Sequence, residues 1–335
     1  MRRYLRNTLH PERYHGRLRR QRAPFFEGWY FKVVDPTGQY RFAFIPGIFW
    51  SNRSHAFVQV LDGASGTAYY HEYTVEEFHT PEDRFDLRVG ANRFTRDVIS
   101  LAIDRPDQRI AGSLRLVGQA PWPVTLTSPG IMGWYAWIPI MECYHGVVSL
   151  DHGLEGSLNI DGREIDFTGG RGYIEKDWGR SFPEAWMWFQ SNHFETPGTS
   201  LTGSIAIIPW GRTSFPGFII GLWHGQRLYR FATYTGASTE RLIVTEHTVD
   251  WLVSDKEYRL EMFVKQGPDS QFGLLKGPDI AEMGKRVAET LSATVETKLT
   301  QKQSGRVVFE GTGRYAGLEV HEVENRLLKM IDALK

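Results

Sequence analysis

Gly172-Tyr173-Ile174-Glu175-Lys176-Asp177-Trp178-Gly179, then Phe182-Pro183, then Trp186-Met187-Trp188-Phe189-Gln190-Ser191-Asn192, is the stretch from which the rest of the chain can be read. Three adjacent ionisable residues sit between aromatics and glycines. Beyond the Phe-Pro turn, Trp186, Trp188, Gln190 and Asn192 fall on one face of a strand, because successive strand residues point to opposite sides. Large indoles beside two amides are not an ordinary solvated face. They suit a pocket wall that is apolar and carries a few placed polar groups. The same alternation puts Glu175 and Asp177 on one side and Lys176 on the other unless a bulge intervenes. Gly170, Gly172 and Gly179 would make a bulge easy.

Strands extend on both sides of this stretch. Upstream, residues 29–34 run to the turn Asp35-Pro36-Thr37-Gly38 and return over 40–46 as a hairpin would. Further strands are expected over 56–61, 67–73, 84–89, 98–103 and 109–117. Residues 119–141 differ, with Pro121, Pro123, Pro129 and Pro139 breaking regular structure among Trp122, Trp134, Tyr135 and Trp137. An ordinary linker is polar, so this one reads as a packed crossover between two barrels. A second strand series begins near Tyr144, turns at Asp161-Gly162, and continues beyond the central stretch from 200 to 265. Gly277-Pro278-Asp279 reads as the cap of a helix from Ile280 to about Leu291, with Ile280, Met283 and Val287 inward. Val323 to Leu334 has the spacing of a terminal amphipathic helix. The expectation is an all-β chain of two antiparallel β-barrels in tandem. Its divisions are a basic arm over 1–23, a first barrel over 24–118, the crossover over 119–141, and a second barrel over 142–335.

The bulk numbers exclude several functions. A length of 335 residues gives room for one large domain or two ordinary ones. The formal net charge is zero, so no long-range field favours nucleic acid. A single cysteine, Cys143, rules out an intramolecular disulfide framework and fits a reducing compartment. No stretch approaches the length of a membrane span. The arm carries Arg2, Arg3, Arg6, Arg13, Arg17, Arg19, Arg20 and Arg22 against Glu12. Two readings stand for it: a solvated arm packed over the first domain, or a peripheral contact with an anionic membrane surface through which a lipid is reached. The expected location is the cytoplasm, with the membrane surface as the alternative.

The central stretch closely resembles the second signature of the tocopherol cyclase family, which reads roughly Tyr-Ser-Glu-Lys-Asn-Trp-Gly, then Phe-Pro, then Trp-Phe-Trp-Val-Gln. Phe25-Phe26-Glu27-Gly28-Trp29-Tyr30-Phe31-Lys32-Val33 is similar to that family's opening, and residues 305–310 with 317–320 give a weaker third match. The matches keep their order across most of the chain. The resemblance implies a double lipocalin, that is, two calycin-like barrels. Gly28-Trp29-Tyr30 is similar to the segment whose Trp closes one end of a lipocalin barrel, stacked on a late-strand Arg.

The resemblance also implies a reaction. A prenylated quinol or related isoprenoid folds in a dry pocket, a protein acid protonates its alkene, and the phenol oxygen traps the tertiary cation as a chroman-type ring. No metal and no redox cofactor is implied. Glu175, Asp177 and Glu27 are the candidate acids, with Lys176 or Tyr173 orienting the one that acts. Trp29, Trp178, Trp186 and Trp188 are the candidate aromatic wall, and Tyr173, Gln190 and Asn192 could hold the phenol. Burial against an indole favours the neutral form of a carboxyl group. The family has Asn where this chain has Asp177, which moves the weight to Glu175. The segment between the first two signatures is also shorter here than in the plant proteins.

Each candidate has a plainer reading. Glu175, Lys176 and Asp177 could pair among themselves on a surface turn, and Glu27 could be an edge residue paired with an Arg. Glu142-Cys143-Tyr144-His145 has the spacing of half a di-iron motif, but no second copy exists. No His-Glu-x-x-His or paired cysteines are present, so no metal site is expected. The partner is expected to be a hydrophobic small molecule or lipid. The alternatives to a cyclase are a non-catalytic carrier of an isoprenoid or lipid, or a hydratase or cyclase of the related double-calycin groups.

Overall fold

The computed structural model describes residues 2–16, 24–267 and 269–333. The protein is all-β, built from two antiparallel sheets of twelve and ten strands. The first holds β1 (Phe25–Val34), β2 (Arg41–Trp50), β3 (His55–Asp62), β4 (Thr67–Tyr73), β5 (Phe78–His79) and β6 (Asp86–Val89). It continues with β7 (Asn92–Thr95), β8 (Val98–Arg105), β9 (Gln108–Val117), β10 (Cys143–Ile160), β11 (Arg163–Asp166) and β12 (Arg171–Gly179). The second holds β13 (Trp186–Ser191), β14 (Ser200–Trp210), β15 (Thr213–His224), β16 (Arg227–Ala232) and β17 (Ser238–Val244). It ends with β18 (Thr248–Ser254), β19 (Tyr258–Lys265), β20 (Gly273–Gly277), β21 (Lys285–Gln301) and β22 (Val307–His321).

The first sheet runs β4-β3-β2-β1-β12-β10-β9-β8-β7-β6-β5, with β11 beside β10. The two segments that carry the first and second signatures, β1 and β12, are therefore neighbours. Its core face is lined by Trp29, Phe31 and Val33 of β1, Phe44 of β2, Val58 of β3, and Ile174 of β12, all fully buried. The second sheet runs β16-β15-β14-β13-β22-β21-β19-β18-β17, with β20 beside β21. Its core is made by Met187 and Phe189 with Leu201, Ile220, Trp251 and Leu260.

The chain divides into two compact units, Met1–Phe182 with Gly273–Val287, and Pro183–Phe272 with Ala288–Lys335. The sequence placed a crossover between barrels at 119–141. That segment instead lies inside the first unit, because the strands on either side of it, β9 and β10, are hydrogen-bonded neighbours from Gly153↔Val117 to Ile160↔Ile110. It does pack in part: Trp122 is buried and the Trp137 indole donates to Leu126 O at 2.9 Å.

The helix expected from Ile280 to Leu291 is corrected. Asp279 Oδ1 accepts the amides of Ala281 and Glu282 at 2.7 and 2.8 Å, and Asp279 N donates to Glu282 O at 2.9 Å, closing a turn on itself. The same side-chain-to-backbone bonds serve a helix cap and an isolated turn, so the cap residue alone did not decide. From Lys285 the chain is extended. Val287, Leu291, Ala293, Val295 and Leu299 are buried at every second position or its multiple, and pairing with β19 and β22 wins over three apolar residues at helical spacing. The terminal helix is present as a π-turn, Val323–Leu327, continuing into α2 (Leu328–Asp332), with Val323, Leu327 and Ile331 buried four apart.

At the N-terminus, α1 (Arg2–Thr8) leads into residues 9–16, which pack against the first sheet. Arg17, Arg19, Arg20 and Arg22 lie outside the described residues. Among the described residues no helix is long and apolar enough to cross a membrane.

Candidate active site

β12 pairs with β1 in unbroken register from Phe26↔Gly179 to Val34↔Arg171. No bulge interrupts it, so the alternation read from sequence holds and the three ionisable residues divide between two faces. The bulges lie one strand away, in β10 between Val147 and Ser149 and between Ser149 and His152.

Lys176 points to the core face, opposite Trp29 in the pairing. Its Nζ is 2.5 Å from Glu27 Oε1, and neither side chain is exposed. It also donates to Pro11 O at 3.0 Å and to Arg13 O, and lies 2.7 Å from His15 Nδ1. Glu27 accepts the amide of His15 at 2.8 and 3.0 Å and that of Gly16 at 3.0 Å. The Trp29 and Trp178 rings flank the ammonium at 4.8 and 4.5 Å. Trp178 is itself held between the rings of His15 and Tyr144, nearly parallel at 4.4 and 5.4 Å. Burial pulls Lys176 down to about 8, against the raising effect of Glu27. Burial alone would raise Glu27, but the Lys176 ammonium and the His15 hydrogen bond outweigh it and leave the carboxyl below its ordinary value. The result is a closed ion pair under the N-terminal strap.

Glu175 points to the other face, with Tyr173 and Asp177. It is 5% exposed, and the fully buried Tyr173 phenol donates to its Oε2 at 2.6 Å. Across the β10–β12 pairing His145 stands opposite Asp177 and Val147 opposite Glu175. The imidazole therefore falls between the two acids, its Nδ1 2.9 Å from Asp177 Oδ1 and its Nε2 3.6 Å from Glu175 Oε2. On the β1 side, Tyr30 stands opposite Glu175 and buried Lys32 opposite Tyr173. His145, Glu175 and Asp177 bring one donor atom each within 4.8 Å of one another, a spacing a cation could bridge. In this structure Asp177 Oδ1 is bonded to His145 Nδ1, and Glu175 Oε2 accepts from Tyr173.

In the second unit, β13 turns Met187 and Phe189 into the core and Trp186, Trp188 and Gln190 to the opposite face, as read from sequence. The Trp186 indole donates to Glu319 Oε2 at 2.7 Å and stacks on His321 at 4.2 Å. Gly317 leaves room for the Trp188 ring, since a Cβ there would lie 2.7 Å from it. Glu289, fully buried, stands opposite Glu319 on β21. Asn192 lies just beyond the strand, buried, with its Oδ1 3.1 Å from His193 Nδ1.

The tocopherol cyclase-like profile matches residues 115–322. The chain belongs to the tocopherol cyclase-like family. It is 23% identical to a probable chloroplastic tocopherol cyclase of Oryza sativa subsp. japonica, over 89% of this chain and 75% of that one. Among solved structures, it is similar to a protein from Nitrosomonas europaea named as an AttH, with 16% identity, a TM-score of 0.50, and coverage of 88% of this chain and 92% of that one. It is similar also to CghA crystallised with Sch210972, with 12% identity, a TM-score of 0.54, and coverage of 89% and 88%. These likenesses show the fold, a double calycin.

Within this tocopherol cyclase-like chain the expected site residues part company. Glu175 and Tyr173 come together as one buried pair, joined by Asp177 through His145. Lys176 does not orient Glu175, because it sits on the opposite face of β12 and holds Glu27. Glu27 in turn is an ionised partner in a closed pair rather than a neutral acid. Trp29 and Trp178 share the face of Lys176, so neither indole borders Glu175 from within β1 or β12; the phenols of Tyr173 and Tyr30 stand on its side. Trp186, Trp188, Gln190 and Asn192 belong to the second unit. His145 enters the sequence reading only as half of a metal-type motif, and Lys32 and Glu289 are not singled out there. Lys32 left a trace, a lysine inside an apolar strand, but His145 depends on the β10–β12 register, which no local pattern reveals.

The first unit also carries two open cavities. One, of about 490 Å³, is walled by Tyr14, Trp50, Phe78 and Arg84 among others. The other, of about 440 Å³, is walled by Phe49, His55, Lys276 and Met283 among others.

Proposed function

We propose that this chain is an acid catalyst that closes an oxygen-containing ring on a prenylated quinol or a related isoprenoid phenol, with Glu175 as the proton donor. Glu175 delivers its proton to the alkene carbon that leaves a tertiary cation behind. The phenol oxygen then attacks that cation, one C–O bond forms, and the phenolic proton departs. Substrate and product are isomers, so the step is redox-neutral. The role of Tyr173 is to fix the carboxyl group and to hold, by its hydrogen bond, the negative charge that appears when the proton leaves.

The observation that carries this reading is the burial of Glu175 with the Tyr173 phenol 2.6 Å from its Oε2, inside the signature that the family shares. The expected test is Glu175→Gln, assayed by chromatography on a prenylated hydroquinone. Turnover should fall by roughly 10²–10⁴-fold, the worth of a positioned acid, while affinity for the quinone form of the probe is retained.

A second reading is a non-catalytic carrier of a hydrophobic ligand. The open cavity of about 490 Å³ favours it by size alone, since Tyr14, Trp50 and Phe78 share its wall with Arg84, Asp86 and Arg88. Binding of the probe with no ring closure in either form would assign that role.

A further inference from the structure

Taking Glu175 as the acid, we propose that His145 is the second catalytic group of the same site, accepting the phenolic proton and returning it to Glu175, with Asp177 as its positioning residue. Ring closure needs both events. One proton is given to the alkene, and one is released when the phenol O–H bond breaks as the C–O bond forms. A site whose acid must be reset between turnovers works best when the released proton has a path back.

The geometry supplies one. Asp177 Oδ1 lies 2.9 Å from His145 Nδ1, which makes Nδ1–H the donor and leaves the Nε2 lone pair directed towards Glu175. Nε2 is 3.6 Å from Glu175 Oε2, a gap that a small ring rotation or one water closes. The three groups also form a gradient of exposure, from 7% for the Glu175 side chain through 13% for His145 to 29% for Asp177. The buried end holds the reacting carboxyl group and the open end is anchored by a carboxylate. Pairing of adjacent strands fixes the arrangement, since His145↔Asp177 and Val147↔Glu175 are alternate partners in one ladder, with Gly146↔Lys176 between them. Other groups that alternation puts on this face are Tyr173, already bound to Glu175, Tyr30 and Lys32 of β1, Cys143 of β10, and Arg171 of β12, which pairs with Asp151. The step balances: the phenol O–H breaks, imidazole gains the proton at Nε2, and the Glu175 carboxylate takes it back.

The test compares wild type, His145→Ala, His145→Gln and Asp177→Asn on a prenylated hydroquinone, with Glu175→Gln run alongside as the separate test of the acid. His145→Ala should lower kcat by about 10²-fold with KM within about threefold, because a proton-transfer group acts on the chemical step and not on binding. Added imidazole should restore about tenfold or more of that loss, and Asp177→Asn should cost about tenfold. Both His145 variants turning over within about twofold of wild type, while Glu175→Gln is inactive, would overturn the relay and leave the acid standing. A loss that imidazole does not restore, in a variant with the wild-type Tm, would overturn it too and make His145 structural. If His145→Ala does not fold, His145→Gln carries the same comparison. A Glu175→Gln variant with full turnover would defeat the acid itself, and the relay with it.

Discussion

Lys176 and Glu27 meet across the β1–β12 pairing with Nζ 2.5 Å from Oε1 and no exposed surface on either side chain. The pair ties the first signature to the second, and the strap over Pro11–Gly16 closes around it. Removing one partner strands a buried charge, which costs about 3–5 kcal/mol, whereas replacing both with apolar groups of similar volume costs far less. Lys176→Met and Glu27→Gln should each lower the free energy of unfolding by about that amount, and Lys176→Met with Glu27→Leu should cost less than the sum of the two, the amides of His15 and Gly16 staying unpaired. Denaturant unfolding of the three variants measures this. Single variants as stable as wild type would show that the pair contributes nothing.

His152 sets an acid limit. It is buried beside Ser149, whose Oγ lies 3.0 Å from Nδ1, and burial pushes it down to about 3. A base held below its ordinary value keeps the folded state neutral while the unfolded chain takes up a proton. The contribution of His152 is therefore intact above pH 6.5 and is lost progressively as pH falls from 6.5 towards 3, at up to about 1.4 kcal/mol per pH unit. His15, lowered by burial and then by Lys176, acts in the same direction as pH falls below its ordinary value. His152→Asn should flatten stability against pH between 6 and 4. An unchanged slope would remove His152 as the cause.

Gly172 is required by that histidine. A Cβ at this position would lie 2.3 Å from His152 Nε2. Gly172→Ala should cost about 1–3 kcal/mol through overpacking, and less in a His152→Ser background. A double-mutant cycle reads the coupling directly, and additive costs would refute the contact.

Tyr173 separates positioning from acidity. Tyr173→Phe removes the donor to Glu175 Oε2 and keeps the ring. Turnover should drop by about 10–100-fold, less than for Glu175→Gln, with KM little changed. Wild-type turnover in Tyr173→Phe would show that the phenol does not position the carboxyl group.

Much of this was legible in advance, for a physical reason that particular residues show. Side-chain alternation is a property of a single strand, so the opposite facing of Glu175 and Lys176, and of Trp186 and Met187, followed from order alone. What could not be read was pairing between strands remote in the chain. Glu27 with Lys176, and His145 with Asp177, exist only through the registers of β1, β10 and β12. Trp29 shows both halves: the tryptophan was recognisable, but among the described residues the cation over its ring is Lys176, which the β1–β12 register brings there. The segment after Asp279 shows the same dependence on pairing. A turn and a helix cap share one local bond pattern, and only the ladder of β21 decides between them.

Solvent deuterium gives the most direct test of Glu175 as a proton donor. Ring closure of a prenylated hydroquinone is run in D₂O and the product is examined by NMR. Wild-type protein should place one deuterium on the former alkene CH carbon, now the methylene beside the new C–O-bearing centre, and Glu175→Gln should form the labelled ring roughly 10²–10⁴-fold more slowly. A labelled product formed equally well by Glu175→Gln, or a ring closed without deuterium, would contradict protonation by this carboxyl group.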